Sequence, residues 1–447
     1  MARQLFCGST ILLVLLAMPL RAPAETVHLR ITSDRPVVEA GKSHTVRVKV
    51  EVEGAELPAA ERPPVNLSLI IDKSGSMRGD RIEHARQGAI EAVRRLGSQD
   101  IFSVVVFDSK VETLIPAQRL TNLGLVEEQI TGIQAGGTTN IHGGMQAGLA
   151  ELKKNLDKKH LNRAVLLSDG LANVGPTRPE AFDQLGREFS QSGVIVSTVG
   201  LGRDYNEQLL TSLAQASEGN NYFVDNPKTL PKIFEDEIGA LVSTVATGVT
   251  ITIELPAQVT LDKVLGRTYR QTGNRLEIDF HDLGGGASKY SVLELTIPQG
   301  DEGQVLDALV ARARYRCVAD NRDGETSAGT QVRYTRRAAE AEAAVNLEVQ
   351  NAWVELHQAA VQDEVLDLVE RGDRQQAQER LGRLGEEAAA AGIQAPAAAR
   401  LESYGQRESQ ILQERTFSRQ EVLERRTDAY QLRNQQSVGR VRIDDER

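Results

Sequence analysis

The chain has 447 residues, 40% hydrophobic and 26% charged, ordinary globular usage with room for roughly two to four domains, which excludes a disordered chain and a multispan membrane protein. Acidic residues outnumber basic ones by 62 to 52, giving a net charge of −10. That balance argues against a general binder of nucleic acid or of anionic membranes, either of which needs a basic face.

In chain order, the first segment is an address. Arg3 is followed by the almost wholly apolar stretch Leu5–Met18, and Ala22-Pro23-Ala24 supplies a small-x-small cleavage pattern before Glu25. This reads as a cleaved signal peptide over residues 1–24, with an uncleaved anchor as the rival, and implies a periplasmic or extracellular protein. No other stretch suits a bilayer, so no transmembrane segment is expected after cleavage. Cys7 falls inside the apolar stretch, which leaves Cys317 as the sole thiol of the mature chain and rules out an intramolecular disulfide. Cys317 lies in an alternating apolar run and is expected to be a buried structural residue.

Residues 25–62 alternate, with Val27, Leu29 and Ile31 and then Val46, Val48, Val50 and Val52 on one face, and read as strands. Leu57–Pro64 reads as a linker. Residues 65–243 change rhythm. Short apolar runs at Val65–Ile71, Ile101–Phe107, Ala164–Leu167 and Val194–Val199 alternate with helical patterns near Arg81–Leu96, Leu123–Ile133, Ile141–Leu152, Pro179–Ser192 and Asn206–Ala216. Near-continuous apolar strands between helices predict an α/β fold with a mostly parallel sheet covered on both faces, and Val111–Ile115 predicts an antiparallel edge hairpin. Residues 246–335 return to period two and are expected to pack with 25–62 in one all-β sandwich, so that the α/β domain is an insertion. Residues 336–414 have helical spacing, broken at Gly372 and again between Gly392 and Pro396, and suggest a helical hairpin packed on the sandwich. Residues 415–447 are charged with few large apolar side chains, and read as a solvated helix fraying to disorder.

Several motifs carry less than they spell. Gly41-Lys42-Ser43 lacks the earlier glycine of a phosphate loop and sits in a hairpin. Asp320-Asn321-Arg322-Asp323-Gly324 places Arg322 at a ligand position of a Ca²⁺ loop, so a β-turn is the better reading. Arg371-Gly372-Asp373 is a helix break, and the sequon Asn66-Leu67-Ser68 lies in a buried strand. No Gly-x-Ser-x-Gly elbow occurs.

The chemistry gathers where the α/β strands end. Ile70-Ile71-Asp72-Lys73-Ser74-Gly75-Ser76 runs an apolar strand into a carboxylate and two hydroxyls at alternate positions. Gly136-Gly137-Thr138-Thr139-Asn140-Ile141 is a glycine-rich turn opening a helix, and Leu166-Leu167-Ser168-Asp169-Gly170 ends a second strand in a carboxylate. All three loops fall at the carboxyl edge of the sheet, where ligands collect in open α/β folds. Their donors are hard oxygens, suited to Mg²⁺, Mn²⁺ or Ca²⁺ rather than Zn²⁺. This constellation resembles the metal-ion-dependent adhesion site (MIDAS) of von Willebrand factor type A domains, over residues 65–243. The wider order of segments is similar to bacterial exported proteins of that family and, more distantly, to inter-alpha-trypsin inhibitor heavy chains.

The resemblance implies that Asp72, Ser74, Ser76, Thr139 and Asp169 are the metal-site residues. Ser74 and Ser76 would bind directly, Thr139 directly when ligand is engaged, and Asp72 and Asp169 often through water; Thr138 is the one-residue alternative to Thr139. The ion expected is Mg²⁺, with Mn²⁺ and Ca²⁺ as alternatives, and the partner a protein presenting an Asp or Glu. His84 and His142 lie near the site in sequence but inside helices, with a rim role open to His142, and no nucleophile-and-base pair is evident. The expectation is a non-enzymatic exported binding protein. Its alternatives are a metal-dependent hydrolase, in which the ion activates water, and a scaffold in which the ion only staples loops. The oligomeric state is not legible.

Overall fold

A computed structural model describes residues 26–56, 62–157 and 159–436. The apolar N-terminal stretch with Cys7, most of the expected linker and residues 437–447 lie outside the described residues. Among those described, no helix is long and apolar enough to cross a membrane.

The chain opens with β1 (Val27–Ser33), β2 (Val37–Glu39) and β3 (His44–Gly54). It then enters the α/β domain: β4 (Val65–Asp72), α1 (Asp80–Arg94), β5 (Ile101–Phe107), β6 (Val111–Arg119), α2 (Leu123–Thr131), α3 (Ile141–Lys153), β7 (Leu161–Ser168), α4 (Pro179–Gln191), β8 (Val194–Leu201), α5 (Glu207–Ser217), β9 (Asn221–Val224) and α6 (Leu230–Val242). The six strands form one sheet in the order β6-β5-β4-β7-β8-β9, parallel throughout except for antiparallel β6 at the edge. β4 is buried along its whole length. Leu67, Leu69 and Ile71 join a core with α1, α2 and α6 on one face, whereas Ile70 joins α3, α4 and α5 on the other. That two-sided burial is why its sequence is a run and not an alternation.

After α6 come β10 (Thr244–Glu254), β11 (Thr260–Leu265), β12 (Tyr269–Thr272), β13 (Arg275–Gly284), β14 (Ser288–Ile297), β15 (Val305–Cys317) and β16 (Asp323–Thr335). They combine with the N-terminal strands in two sheets, β1-β3-β14-β11 and β12-β13-β10-β15-β16-β2. The inner faces share one core, with Val46, Val48, Val50 and Val52 against Ile251, Ile253, Ile278 and Phe280. The α/β domain leaves the sandwich after β3 and returns at β10, and both crossings are tied to one turn: Gly286 N donates to Gly54 O at 2.8 Å, and Gly285 N to Ser243 O at 2.8 Å.

The helical segment departs from a simple hairpin. It comprises α7 (Ala338–Ala343), α8 (Leu347–Glu370), α9 (Arg374–Gly382), α10 (Leu384–Ala390), α11 (Ala395–Glu414) and α12 (Arg419–Asn434). α8 covers the outer face of the first sheet, with Trp353 and Leu356 in a core with Leu265 and Val292. The polar side of β3 is therefore enclosed and self-paired: Arg47 bonds Asp34 at 3.2 Å, and Lys49 meets Glu51 and Glu348, each at 2.8 Å.

The larger correction concerns the end of the chain. Residues read as a solvated, fraying tail hold α12, which starts with a capping box between Ser418 and Glu421 and buries Leu423 in the core of α4 and α5. Arg419 hooks Glu207 and the carbonyl of Tyr205, and the Tyr430 hydroxyl donates to Gly219 O at 2.6 Å. A low overall hydropathy misled because the helix docks through a few large side chains. Cys317 is half-buried at the end of β15, not fully enclosed, and its sulfur accepts a hydrogen bond from Thr26 Oγ1 at 3.3 Å.

Candidate metal site

Three loops meet at the carboxyl end of β4 because backbone bonds leave them little choice. Lys73 N donates to Phe107 O (2.8 Å), Gly136 N to Lys73 O (2.7 Å), Gly75 N to Gly137 O (3.0 Å) and Asn140 N to Asp108 O (3.0 Å). The glycine-rich turn is thus stitched to the loop after β4 before any side chain acts. From the third loop, Asn173 accepts the Thr139 amide on its Oδ1 at 2.8 Å and returns its own amide to Thr139 O at 3.1 Å.

Asp72, the last residue of β4, is wholly buried. Its Oδ1 accepts the Ser74 amide at 2.8 Å and its Oδ2 the Ser168 hydroxyl at 2.6 Å. Ser74 Oγ lies 3.0 Å from Ser76 Oγ, and Ser76 Oγ donates to Asp169 Oδ1 at 2.7 Å. Gly170 closes the group: a Cβ placed there would stand 3.2 Å from Thr139 Oγ1 and 3.5 Å from Ser76 Oγ. The structure therefore brings all five sequence-predicted side chains to one place. Thr139 is buried toward it while neighbouring Thr138 is exposed. Asp72, Ser74, Thr139 and Asp169 form the floor, and Ser76 is exposed at the mouth.

The electrostatics are unbalanced. Asp169 Oδ2 receives the Arg81 guanidinium at 2.6 Å, but among the described residues no cation pairs with Asp72, and Lys73 turns away to Asp108 at 3.3 Å. Burial pushes the Asp72 carboxyl up to about 6 against the opposing pull of its bonds to Ser168 and Ser74, and the charge of Asp169 adds to the rise. Two wholly buried carboxylates facing one guanidinium leave a negative pocket lined by hydroxyls, a donor set that fits a hard divalent ion. Among the described residues there is no cluster of three or more His, Cys, Asp or Glu able to hold a metal.

Sequence reasoning missed Ser168, Asn173 and Arg81. Ser168 stands beside Asp169 and its alternation toward Asp72 was a usable signal; Arg81, 88 positions before Asp169, gave none. The histidines turn elsewhere. His142, left open as a rim residue, packs edge-on to Phe182 with centroids 6.1 Å apart, and burial lowers its pKa. His84 Nδ1 bonds Asp80 O at 2.7 Å.

Residues 66–236 match the family model of the von Willebrand factor type A domain. The chain is 29% identical over 257 residues to the Escherichia coli protein YfbK, covering 56% of this chain and 45% of that one. It is 30% identical over 187 residues to human inter-alpha-trypsin inhibitor heavy chain H4, covering 40% of this chain and 19% of that protein. The matched part is thus less than half the length of these curated relatives. The fold is similar to that of a von Willebrand factor type A protein from Catenulispora acidiphila, with a TM-score of 0.68 at 16% identity over 90% of this chain and 96% of that one. It is also similar to the ArnB paralog VWA2 from Sulfolobus acidocaldarius, with a TM-score of 0.58 at 19% identity over 92% and 98% of the two chains. Residues 66–236 are a von Willebrand factor type A domain, a type that commonly mediates protein–protein interactions.

Proposed function

We propose that the chain is an exported, non-enzymatic binding protein that grips an Asp or Glu of a partner protein through a divalent cation, Mg²⁺ in the first instance. Ser74, Ser76 and Thr139 would hold the ion, with Asp72 and Asp169 behind them. Bound there, the ion supplies a directional bond to an incoming carboxylate. The observation that carries the reading is Asp72, a buried carboxylate that no cation among the described residues pairs with, at the floor of a hydroxyl-lined pocket. Hydroxyl ligands leave residual positive charge on the ion, and the exposed side of Ser76 leaves a face open to a partner. His84 and His142 are engaged away from this pocket, which favours binding over hydrolysis. Export rests on the apolar segment Leu5–Met18 and the small residues after it.

The test is capture from a native envelope fraction. Partner protein is retained with Mg²⁺, released by EDTA, and not retained by Asp72→Ala with an unchanged near-UV circular dichroism spectrum. Retention that ignores EDTA overturns the reading, and turnover of a phosphoester, peptide or glycoside dependent on Asp72 would replace it with the hydrolase.

A further inference from the structure

At the opposite end of the central sheet, where the parallel strands begin, lies a cavity of about 890 Å³ walled by all three parts of the chain, a volume in the range of small-molecule sites. The α/β domain contributes Arg163, at the start of β7, and Glu218. The sandwich contributes Arg267, Asp282 and Lys289, and the end of α12 contributes Tyr430. The charges at the margin cancel in pairs: Arg95 with Glu235, Arg270 with Asp279 at 3.0 Å, and Arg433 with Asp363 at 2.6 Å.

Inside, Arg163, Arg267 and Lys289 are matched in number by the carboxylates of Asp282, Glu218 and Glu237, but Glu237 is engaged by Ser197, Asn220 and Tyr222 and the cations are not closely paired. Among the described residues Lys289 Nζ donates only to main-chain oxygens, Asp282 O at 2.6 Å and Phe280 O at 3.3 Å. Arg267 lies over the Phe280 ring at 4.6 Å and donates to Asn434 O at 3.4 Å and Gln435 Oε1 at 3.2 Å. Among the described residues neither cation has a carboxylate within ion-pair distance. Arg163 reaches Asp282 only at 3.5 Å, and Glu218 is taken by His281. Burial, with Arg267 and Arg163 adding repulsion, pushes Lys289 down to about 7, and burial lowers Arg267 to about 10. Buried cations without a close carboxylate are costly unless an anion completes them, and guanidinium forks match the planar or tetrahedral oxygens of carboxylate and phosphate.

We propose that this cavity is a second ligand site, separate from the metal site, which takes the oxyanion group of a small phosphate- or carboxylate-bearing molecule on Arg267, Lys289 and Arg163. The full chain, stripped of divalent ions with EDTA, is melted and titrated calorimetrically with inorganic phosphate, with citrate, and with chloride at equal ionic strength. Phosphate or citrate raises Tm by a few degrees over chloride. Lys289→Met and Arg267→Gln each weaken the binding about tenfold or more, whereas Lys289→Arg, which keeps the charge, retains it. The tighter of the two probes assigns the head group. Equal Tm shifts with all three salts, or phosphate and citrate binding that is the same in wild type and in folded Lys289→Met and Arg267→Gln, overturns the proposal.

Discussion

Asp72 and Asp169 differ in how their charge is met, and two substitutions separate the consequences. Among the described residues Arg81 is the only cation on the pair, so it opposes a divalent ion at the same carboxylates. Arg81→Gln is expected to tighten Mg²⁺ by about threefold to tenfold, read by calorimetry, since one nearby positive charge is removed at a half-exposed position; weaker binding would show that the guanidinium helps to hold the site. Gly170→Ala places a Cβ against Thr139 Oγ1 and Ser76 Oγ. It is expected to weaken Mg²⁺ while leaving the melting of the metal-free protein nearly unchanged, and an unaltered titration would show that these hydroxyls are not ligands. At this scale much was legible, because a carboxylate ending an apolar run must emerge at the sheet edge. What sequence leaves open is which threonine turns inward. That depends on the Gly75–Gly137 and Thr139–Asn173 bonds, which join residues tens of positions apart.

Helix α3 shows an element shaped by what it touches. A Cβ at Gly148 would lie 2.3 Å from Ile70 Cδ1, and one at Gly144 2.5 Å from Phe107, so the helix sits close on β4 and β5 at the expense of intrinsic helix propensity. Since α3 carries the Thr139 turn at its N-terminus, that approach also sets the depth of the metal site. Gly148→Val is expected to cost about 1–3 kcal/mol by overpacking, measured by urea unfolding; a neutral result would mean that the helix can lift without penalty.

Helix α12 is the element that composition hid. Its start was written in Ser418 and Glu421, a capping-box spacing, but its docking depends on Leu423 and Tyr430 meeting α4, α5 and Gly219, which no local pattern reveals. Leu423→Ala is expected to destabilise the chain by about 2–5 kcal/mol. The Arg415 guanidinium holds Glu421 at about 2, well below its ordinary 4.5, with help from Ser418. A carboxyl lowered on folding stabilises the native state above its ordinary pKa and loses that contribution as pH falls toward its folded one. Wild type should therefore lose its thermal advantage over Glu421→Gln between about pH 4.5 and 2; a gap between the two that does not change over that range contradicts the assignment.

Across the whole molecule, the period-two segments on either side of the α/β domain were readable as one sandwich because each carries one apolar face. Their pairing, β3 against β14 and β2 against β16, was not readable, since alternation states which face is buried and not which strand lies beside it. The two crossings held by Gly285 and Gly286 tie the inserted α/β domain to the sandwich, with the metal site at its free end and the second cavity at its root. Placing the ion decides between a gripping site and an inert pocket. Crystals equilibrated with Mn²⁺ should show one anomalous peak at about 2.1 Å from Ser74 Oγ and Ser76 Oγ, beside Thr139, with a water on the side facing solvent. A peak elsewhere, or an ion enclosed on every side by the chain's own oxygens, would contradict the account.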